Sequence, residues 1–471
     1  SSEVKIFILL NLLLNRERGN MFENIFRMND IRGVYGQELD DSFAYKTGRA
    51  ISKFLKCKKI IIGRDMRLSS NLLFNALAKG FVDSGINVMD IGLIDTPALY
   101  FASAFYKTPG IMITASHNPA EYNGIKIVKA NARPIDMNNG LDKIKKFIEK
   151  DYFSNIKIRG EISKRDVLKN YKKHILSFVN PGKIGNLKIA VDAGNGMAGR
   201  LVPFIYKGLD IRILPLYFKL DGKFPNHVPN PILKDNMKSL RKMVLKDKAD
   251  FGIAFDGDMD RVAFVDEKGQ LVSTSFIGAL LAKYLLQEKK RKENIVYTSA
   301  CSKIINETIS KYYGKSVRAK VGHAFMKESM YKNNALLGVE HSGHYYYRDN
   351  YYADSALISS LLVLEIYSHS KKNGIKFSDL IAEFNKYSQS EERSIKLKDK
   401  GDIVEKIKKY YKNKKPRKID NFDGLRIQFD DYWFSVRKSN TEPLLRINLE
   451  AIDKATMKSK LKEILRIARN N

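Results

Sequence analysis

Short, mostly apolar runs that stop abruptly at glycine, aspartate or small polar residues recur along this chain. Residues 59–62 lead into Gly63-Arg64-Asp65, and Gly110–Ile113 lead into Thr114-Ala115-Ser116-His117-Asn118-Pro119. Residues 187–191 lead into Asp192-Ala193-Gly194-Asn195-Gly196, and Phe251–Phe255 into Asp256-Gly257-Asp258-Met259-Asp260-Arg261. Runs of this length are too short for helices and predict buried strands. Residues 141–150, 276–286 and 355–367 instead repeat apolar positions at intervals of three and four, which predicts helices that each turn one stripe to a core. Strands alternating with helices predict α/β units, in which ligands gather beyond the C-terminal ends of the strands. The C-terminal part differs. Strand patterning at 433–436 and 444–449 precedes a helix with Met457, Leu461, Ile464, Leu465 and Ala468 on one side.

Boundaries follow from composition. A polar, lysine-rich stretch at 154–166 separates a first domain from a second, Asp266-Glu267-Lys268-Gly269 reads as a hairpin turn near the next boundary, and a last linker begins at 368–372. The expected domains are 21–160, 161–267, 268–375 and 376–471, as befits 471 residues, since single cores rarely exceed about 300. Residues 1–20 stand apart. Positions 6–14 are apolar except Asn11, flanked by Lys5, Arg16 and Arg18, but no small-residue cleavage site follows, so an extension outside the fold is expected.

The hydrophobic fraction of 44% fills several cores, and no run reaches the roughly 18 apolar residues of a membrane span. Cys57 and Cys301 are the only cysteines, which builds neither a disulfide framework nor a zinc site and fits a reducing cytoplasm. The net charge of +31 raises the question of nucleic acid. Because the lysines are spread along most of the chain, they read as solvated faces, and no specific nucleic-acid binding is expected.

Four motifs carry candidate chemistry. Ser116 follows an apolar strand and precedes a proline, where a serine can accept a phosphoryl group; a turn with a capping serine fits the same letters. Asp256, Asp258 and Asp260 alternate, so in an extended loop their carboxylates project to one side as hard ligands for Mg²⁺. An acidic surface turn is the alternative, and the remaining pattern of a calcium-binding EF-hand is absent. Glu340-His341-Ser342-Gly343-His344 joins a carboxylate, a hydroxyl and a histidine able to exchange protons near neutrality, or else forms a capped turn. Arg437-Lys438-Ser439-Asn440-Thr441-Glu442-Pro443 offers the charge, hydroxyls and amides that a phosphate dianion requires, or else a basic turn without a ligand.

With these motifs together, the chain resembles the α-D-phosphohexomutase family, most closely its phosphomannomutase/phosphoglucomutase branch, from residue 22 onward. The resemblance implies three related α/β domains and a smaller C-terminal α+β domain around a central cleft. It also implies interconversion of hexose 6-phosphate and hexose 1-phosphate, of mannose or glucose, through a phosphoserine and a hexose 1,6-bisphosphate. Ser116 would carry the phosphoryl group and join Asp256, Asp258 and Asp260 around Mg²⁺, while His117 and Asn118 surround the phosphate. Lys126 and Arg32 would stabilise charge near the reacting oxygens, and His344 would exchange protons. Glu340 and Ser342 would read the sugar, with His323 also binding substrate. Arg437, Ser439, Asn440 and Thr441 would grip the idle phosphate, supported by Arg446. Gly63 to Arg67 and Asp221 to His227 would serve mainly as loop support. Asn29, Ala300 and Val339 depart from the family pattern and bear on sugar choice. Phosphoglucosamine mutase is the nearest alternative; Tyr122-Asn123-Gly124 and Ser439-Asn440-Thr441 favour the hexose branch, and a silent phosphosugar- or nucleic-acid-binding protein is the alternative of another class.

Overall fold

The protein is described by a computed structural model covering residues 25–151, 153, 158–289, 292–396, 403–438 and 444–469. The expected extension at 1–20 and the predicted ligands Ser439, Asn440 and Thr441 lie outside the described residues. The chain folds as two compact units, one running to Leu271 and including Asp349–His369, the other comprising Val272–Arg348 and the chain from Ser370 onward.

The first unit holds two α/β sheets. In one, strands follow the order Ile31–Val34, Tyr122–Lys129, Gly110–Ile113, Lys59–Arg64, Asn87–Leu93, Ile162–Lys164. Its centre is parallel: Lys59–Arg64 pairs in that sense with both Gly110–Ile113 and Asn87–Leu93. All four residues of Gly110–Ile113 are buried, because helices cover both faces, which is why the run is apolar without alternation. The other sheet places Phe251–Phe255 between Val262–Asp266 and Gly185–Asp192, with Asp210–Leu216 beyond. Asp266 closes the expected hairpin: its carboxylate accepts from Lys268 N and Gln270 N, and Gly269 supplies the left-handed conformation at φ 71°.

The helix Ala356–Lys372 departs from the one-stripe expectation. Residues 356–368 are buried without a break, Glu365 and three serines included, so this helix is enclosed on all sides rather than along one stripe. Within the first unit its Tyr367 ring meets Phe251 edge-on at 5.5 Å, Ser360 pairs with Tyr206, and Ser368 Oγ accepts from Gly185 N.

In the second unit, Asn294–Thr298 runs parallel to Lys315–Ala319 and Leu337–Val339, with Tyr345–Tyr347 antiparallel at Leu337–Val339. The C-terminal sheet is antiparallel throughout its main order Ser388–Gln389, Leu444–Ala451, Tyr432–Lys438, Leu425–Gln428, Lys418–Asp420. Ile464 and Ala468 of the last helix are buried in its core with Met457, Leu461 and Leu465 packed alongside, which is the predicted stripe.

Candidate active site

Gly110–Ile113 delivers the chain to Thr114, whose hydroxyl accepts from Ser116 N at 2.9 Å. Thr114 therefore does the capping that the sequence also allowed for serine. The Ser116 hydroxyl is left to donate to Asp256 Oδ2 at 3.0 Å, with His117 Nδ1 3.1 Å away. Ser116 sits at φ 50°, a left-handed conformation that costs an L-residue about 1–2 kcal/mol. Arg67 holds the strained loop. Its guanidinium donates to four backbone carbonyls, those of Ser116 (2.9 Å), Asn118 (2.7 Å), Pro119 (2.7 Å) and Tyr122 (2.9 Å). The Asp65 carboxylate lies 3.3 Å from Arg67 Nε, both side chains are fully buried, and Phe224 lies 5.0 Å from the guanidinium. The loop-support role expected of these two segments thus falls chiefly to Arg67.

Arg67→Lys tests that staple. An ammonium has only three N–H donors and cannot serve all four carbonyls, so a loss of about 3 kcal/mol in urea unfolding is expected, given roughly 1.5–3 kcal/mol per charge-assisted bond. An unchanged unfolding midpoint would remove the Arg67 argument.

The aspartate loop is a turn rather than an extended segment, which corrects the alternation argument. Met259 N donates to Asp256 O at 3.2 Å, and Met259 adopts φ 59°. The turn still converges the side chains: one ligand oxygen from each of Asp256, Asp258 and Asp260 lies within 4.8 Å of the others, and all three residues are buried. Glycine makes the approach to the serine loop possible. A Cβ at Gly257 would stand 2.5 Å from Ser116 O, and one at Gly196 would stand 2.8 Å from Gly257 O.

Three buried carboxylates so close repel one another. Burial first, then Asp260 and Asp258, push the Asp256 carboxyl well above its usual range. Positive charge compensates in part: Lys126 Nζ donates to Asp258 Oδ2 at 2.8 Å and to Asp260 Oδ2 at 2.7 Å, and Arg261 Nε lies 3.9 Å from Asp256 and Asp260. Burial works against the Lys126 ammonium, yet Asp258 and Asp260 outweigh it and raise its pKa well above the ordinary lysine value. Asp258 Oδ1 makes no hydrogen bond although the residue is fully buried. A bare buried carboxylate oxygen among two further carboxylates is a donor set suited to a hard divalent cation. Arg32 donates to Asn118 Oδ1 at 2.8 Å and to Asp30 Oδ2. Burial, with Arg261 and Arg32 nearby, holds the His117 imidazole well below its ordinary range.

In the second unit the strand Leu337–Val339 delivers Glu340 into a turn closed by Gly343 at φ 86°. Ser342 Oγ donates to Glu340 Oε2 at 3.2 Å, and Tyr346 OH donates to Oε1 at 2.6 Å. The rings of His323 and His344 lie 5.9 Å apart, with Tyr346 5.3 Å and 6.0 Å from them. Arg437 stands directly opposite Arg446 across neighbouring strands, and Arg446 is held by Ser394 Oγ (2.6 Å) and Glu392 (3.5 Å). Like charges facing each other are destabilising, and the Glu392 carboxylate offsets the Arg446 side of this pair.

Val339 proves to be a core position. It is fully buried, and a Cβ on Gly278 would stand 2.5 Å from its Cγ1, so the larger side chain fills the space that glycine leaves. Ala300 is buried with its carbonyl accepting from Gln389, and Asn29 Oδ1 is a buried acceptor without a hydrogen bond. Sequence reasoning missed Thr96, whose hydroxyl donates to Asp258 Oδ2 at 2.6 Å, and Tyr346. No motif marked either one.

The first unit is thus α/β in construction, with its serine and acidic loops beyond strand ends, as in enzymes of that class. Phosphoglucomutase/phosphomannomutase models match in succession: alpha/beta/alpha domain I over 23–155, II over 169–269, III over 274–387 and the C-terminal domain over 392–467. A phosphomannomutase of Vibrio cholerae is 38% identical over 94% of this chain and 97% of its own length. One of Methanocaldococcus jannaschii is 36% identical over 93% and 96%. The crystal structure of a phosphoglucomutase/phosphomannomutase family protein from Burkholderia thailandensis matches with TM-score 0.84 at 29% identity, covering 95% of this chain and 98% of that one. The chain belongs to the phosphoglucomutase/phosphomannomutase family, whose members are phosphohexose mutases. Among the described residues, no helix is long and apolar enough to cross a membrane.

Proposed function

We propose that this protein moves a phosphoryl group between O1 and O6 of mannose and glucose phosphates, with Ser116 as the intermediate carrier. The observation that carries the reading is the Ser116 hydroxyl, freed from capping by Thr114 and set 3.0 Å from Asp256 within the acidic cluster. The active form starts phosphorylated. The free hydroxyl of a hexose monophosphate attacks the phosphorus, the bond to Ser116 Oγ breaks, and the hydroxyl proton passes to a base while the departing Oγ takes up a proton, giving hexose 1,6-bisphosphate. In the second half, Ser116 Oγ gives up its proton and attacks the other phosphate, the bond from that phosphorus to the sugar oxygen breaks, and a proton returns to the sugar oxygen. His117 Nδ1, 3.1 Å from Oγ, stands within reach of the Ser116 proton, and His344 is assigned the exchange at the sugar. Lys126 and Arg32 supply fixed positive charge to the transfer. A divalent cation such as Mg²⁺, held by Asp256, Asp258, Asp260 and Ser116, would neutralise the transferring phosphoryl oxygens.

Glu340 and Ser342 are assigned to the sugar hydroxyls. Tyr346 and Ser342 hold one Glu340 oxygen each, so the carboxylate plane is set before substrate arrives. His323 is assigned to substrate, and Arg437 with Ser439, Asn440 and Thr441 to the idle phosphate, for which a guanidinium and hydroxyls are the groups required. Both cysteines are free thiols, which suits a reducing compartment such as the cytoplasm.

A coupled assay with Mg²⁺ and bisphosphate activator compares mannose 1-phosphate, glucose 1-phosphate and glucosamine 1-phosphate. The bisphosphate must turn around between half-reactions, so one carboxylate reads O3 and O4, which trade places, and need not contact C2. The kcat/KM values for mannose and glucose are therefore expected within about a hundredfold of each other, the scale of one modest contact. Absence of turnover with all three sugars sinks the reading, and a gap above a hundredfold shows that C2 is read after all.

A further inference from the structure

We propose that Thr96 is a positioning residue that decides which oxygen of Asp258 faces a bound divalent cation. The inference rests on the reading of Asp256, Asp258 and Asp260 as a cation site. Thr96 opens the helix Thr96–Phe105, whose N-cap Asp95 accepts from Ala98 N at 3.1 Å and from Tyr171 OH at 3.0 Å. Both Asp95 and Thr96 are fully buried, so the helix start is anchored.

From that anchored position Thr96 grips Asp258 twice. Its backbone N donates to Asp258 O at 3.1 Å, and its Oγ1 donates to Asp258 Oδ2 at 2.6 Å. Lys126 Nζ donates to the same Oδ2 at 2.8 Å. Two donors thus converge on one oxygen of the carboxylate, while Oδ1 has none. An oxygen saturated with donors has little lone-pair density to offer a cation, and the bare oxygen has the most. Lys126 cannot set this choice alone. It is a long flexible chain shared with Asp260 Oδ2 at 2.7 Å, and it can follow the carboxylate if the group rotates. The threonine hydroxyl, rooted at the start of a buried helix, cannot follow.

Groups of this kind, behind the ligands themselves, typically alter metal affinity ten- to a hundredfold. The test uses Thr96→Val, which keeps volume and the backbone bond to Asp258 O but removes the hydroxyl, and Thr96→Ser, which restores it. Thr96→Cys, a weak donor close in size to serine, is the companion should valine disturb folding. The readouts are the rise in melting temperature on titrating Mg²⁺, taken without substrate, and the Mg²⁺ concentration giving half-maximal turnover. Thr96→Val and Thr96→Cys are expected to need roughly tenfold more Mg²⁺ in both. Thr96→Ser is expected within about twofold of wild type, with KM for the sugar phosphate nearly unchanged in all. A folded valine or cysteine variant with unaltered Mg²⁺ dependence overturns the proposal, as does a serine variant as weak as valine. Wild-type protein whose melting temperature ignores Mg²⁺ removes the cation site itself, an outcome distinct from failure of Thr96 alone.

Discussion

Ser116→Ala is expected to lower mutase turnover by at least about 10⁴-fold, because loss of a covalent carrier cannot be compensated by the groups that merely position or stabilise. The loss should be chemical rather than structural. The Thr114 and Arg67 contacts to this loop involve backbone atoms of Ser116 and survive the substitution. Asp256 loses the serine donor to Oδ2 but keeps the Arg261 backbone donor to Oδ1 at 3.0 Å. Alanine at φ 50° is no better suited than serine, so stability should fall by only about 1 kcal/mol. Coupled initial rates measure the loss, and peptide mass spectrometry should find phosphate on Ser116 of the wild-type protein alone. Turnover within tenfold of wild type would falsify the carrier assignment.

The second large effect is expected for Asp258→Asn: turnover lower by about 10²–10³-fold, the scale of removing one preorganised electrostatic group. Stability should not follow. Without a cation, the three buried carboxylates repel across less than 4.8 Å, and an amide in place of the middle one relieves part of that repulsion. The amide oxygen still accepts from Thr96, and Lys126 keeps its bond to Asp260. In chelator the variant should therefore unfold within about 1 kcal/mol of wild type, while added Mg²⁺ should raise the melting temperature of wild type far more. Wild-type turnover that is equal with and without chelator would count against the cation site.

Much of this was legible in the chain itself. Gly110–Ile113 and Phe251–Phe255 are strands with the bounds their apolar runs predicted, since a strand buried on both faces leaves an unbroken apolar record. The residues at their ends, Ser116 and the three aspartates, could be named because α/β sheets present loops beyond strand ends. The amphipathic period likewise located the last helix and its inner face.

Tertiary structure alone decided the rest. Alternation suggested that the aspartates converge in an extended loop, but a turn with Met259 at φ 59° brings them together, and that conformation leaves no local signature when the residue is not glycine. Val339 read as a departure near the sugar residues and is instead a core side chain seated over Gly278, a fit visible only once strand meets helix. Arg67, Thr96 and Tyr346 hold Ser116, Asp258 and Glu340 through bonds whose worth depends on burial and on partners up to 162 residues away. Periodicity records which face of an element leaves water; it does not record which distant hydroxyl or guanidinium that face will meet. Residue types and strand ends were therefore determined by the sequence as read locally, whereas the aim of each functional oxygen was settled only when the chain closed on itself.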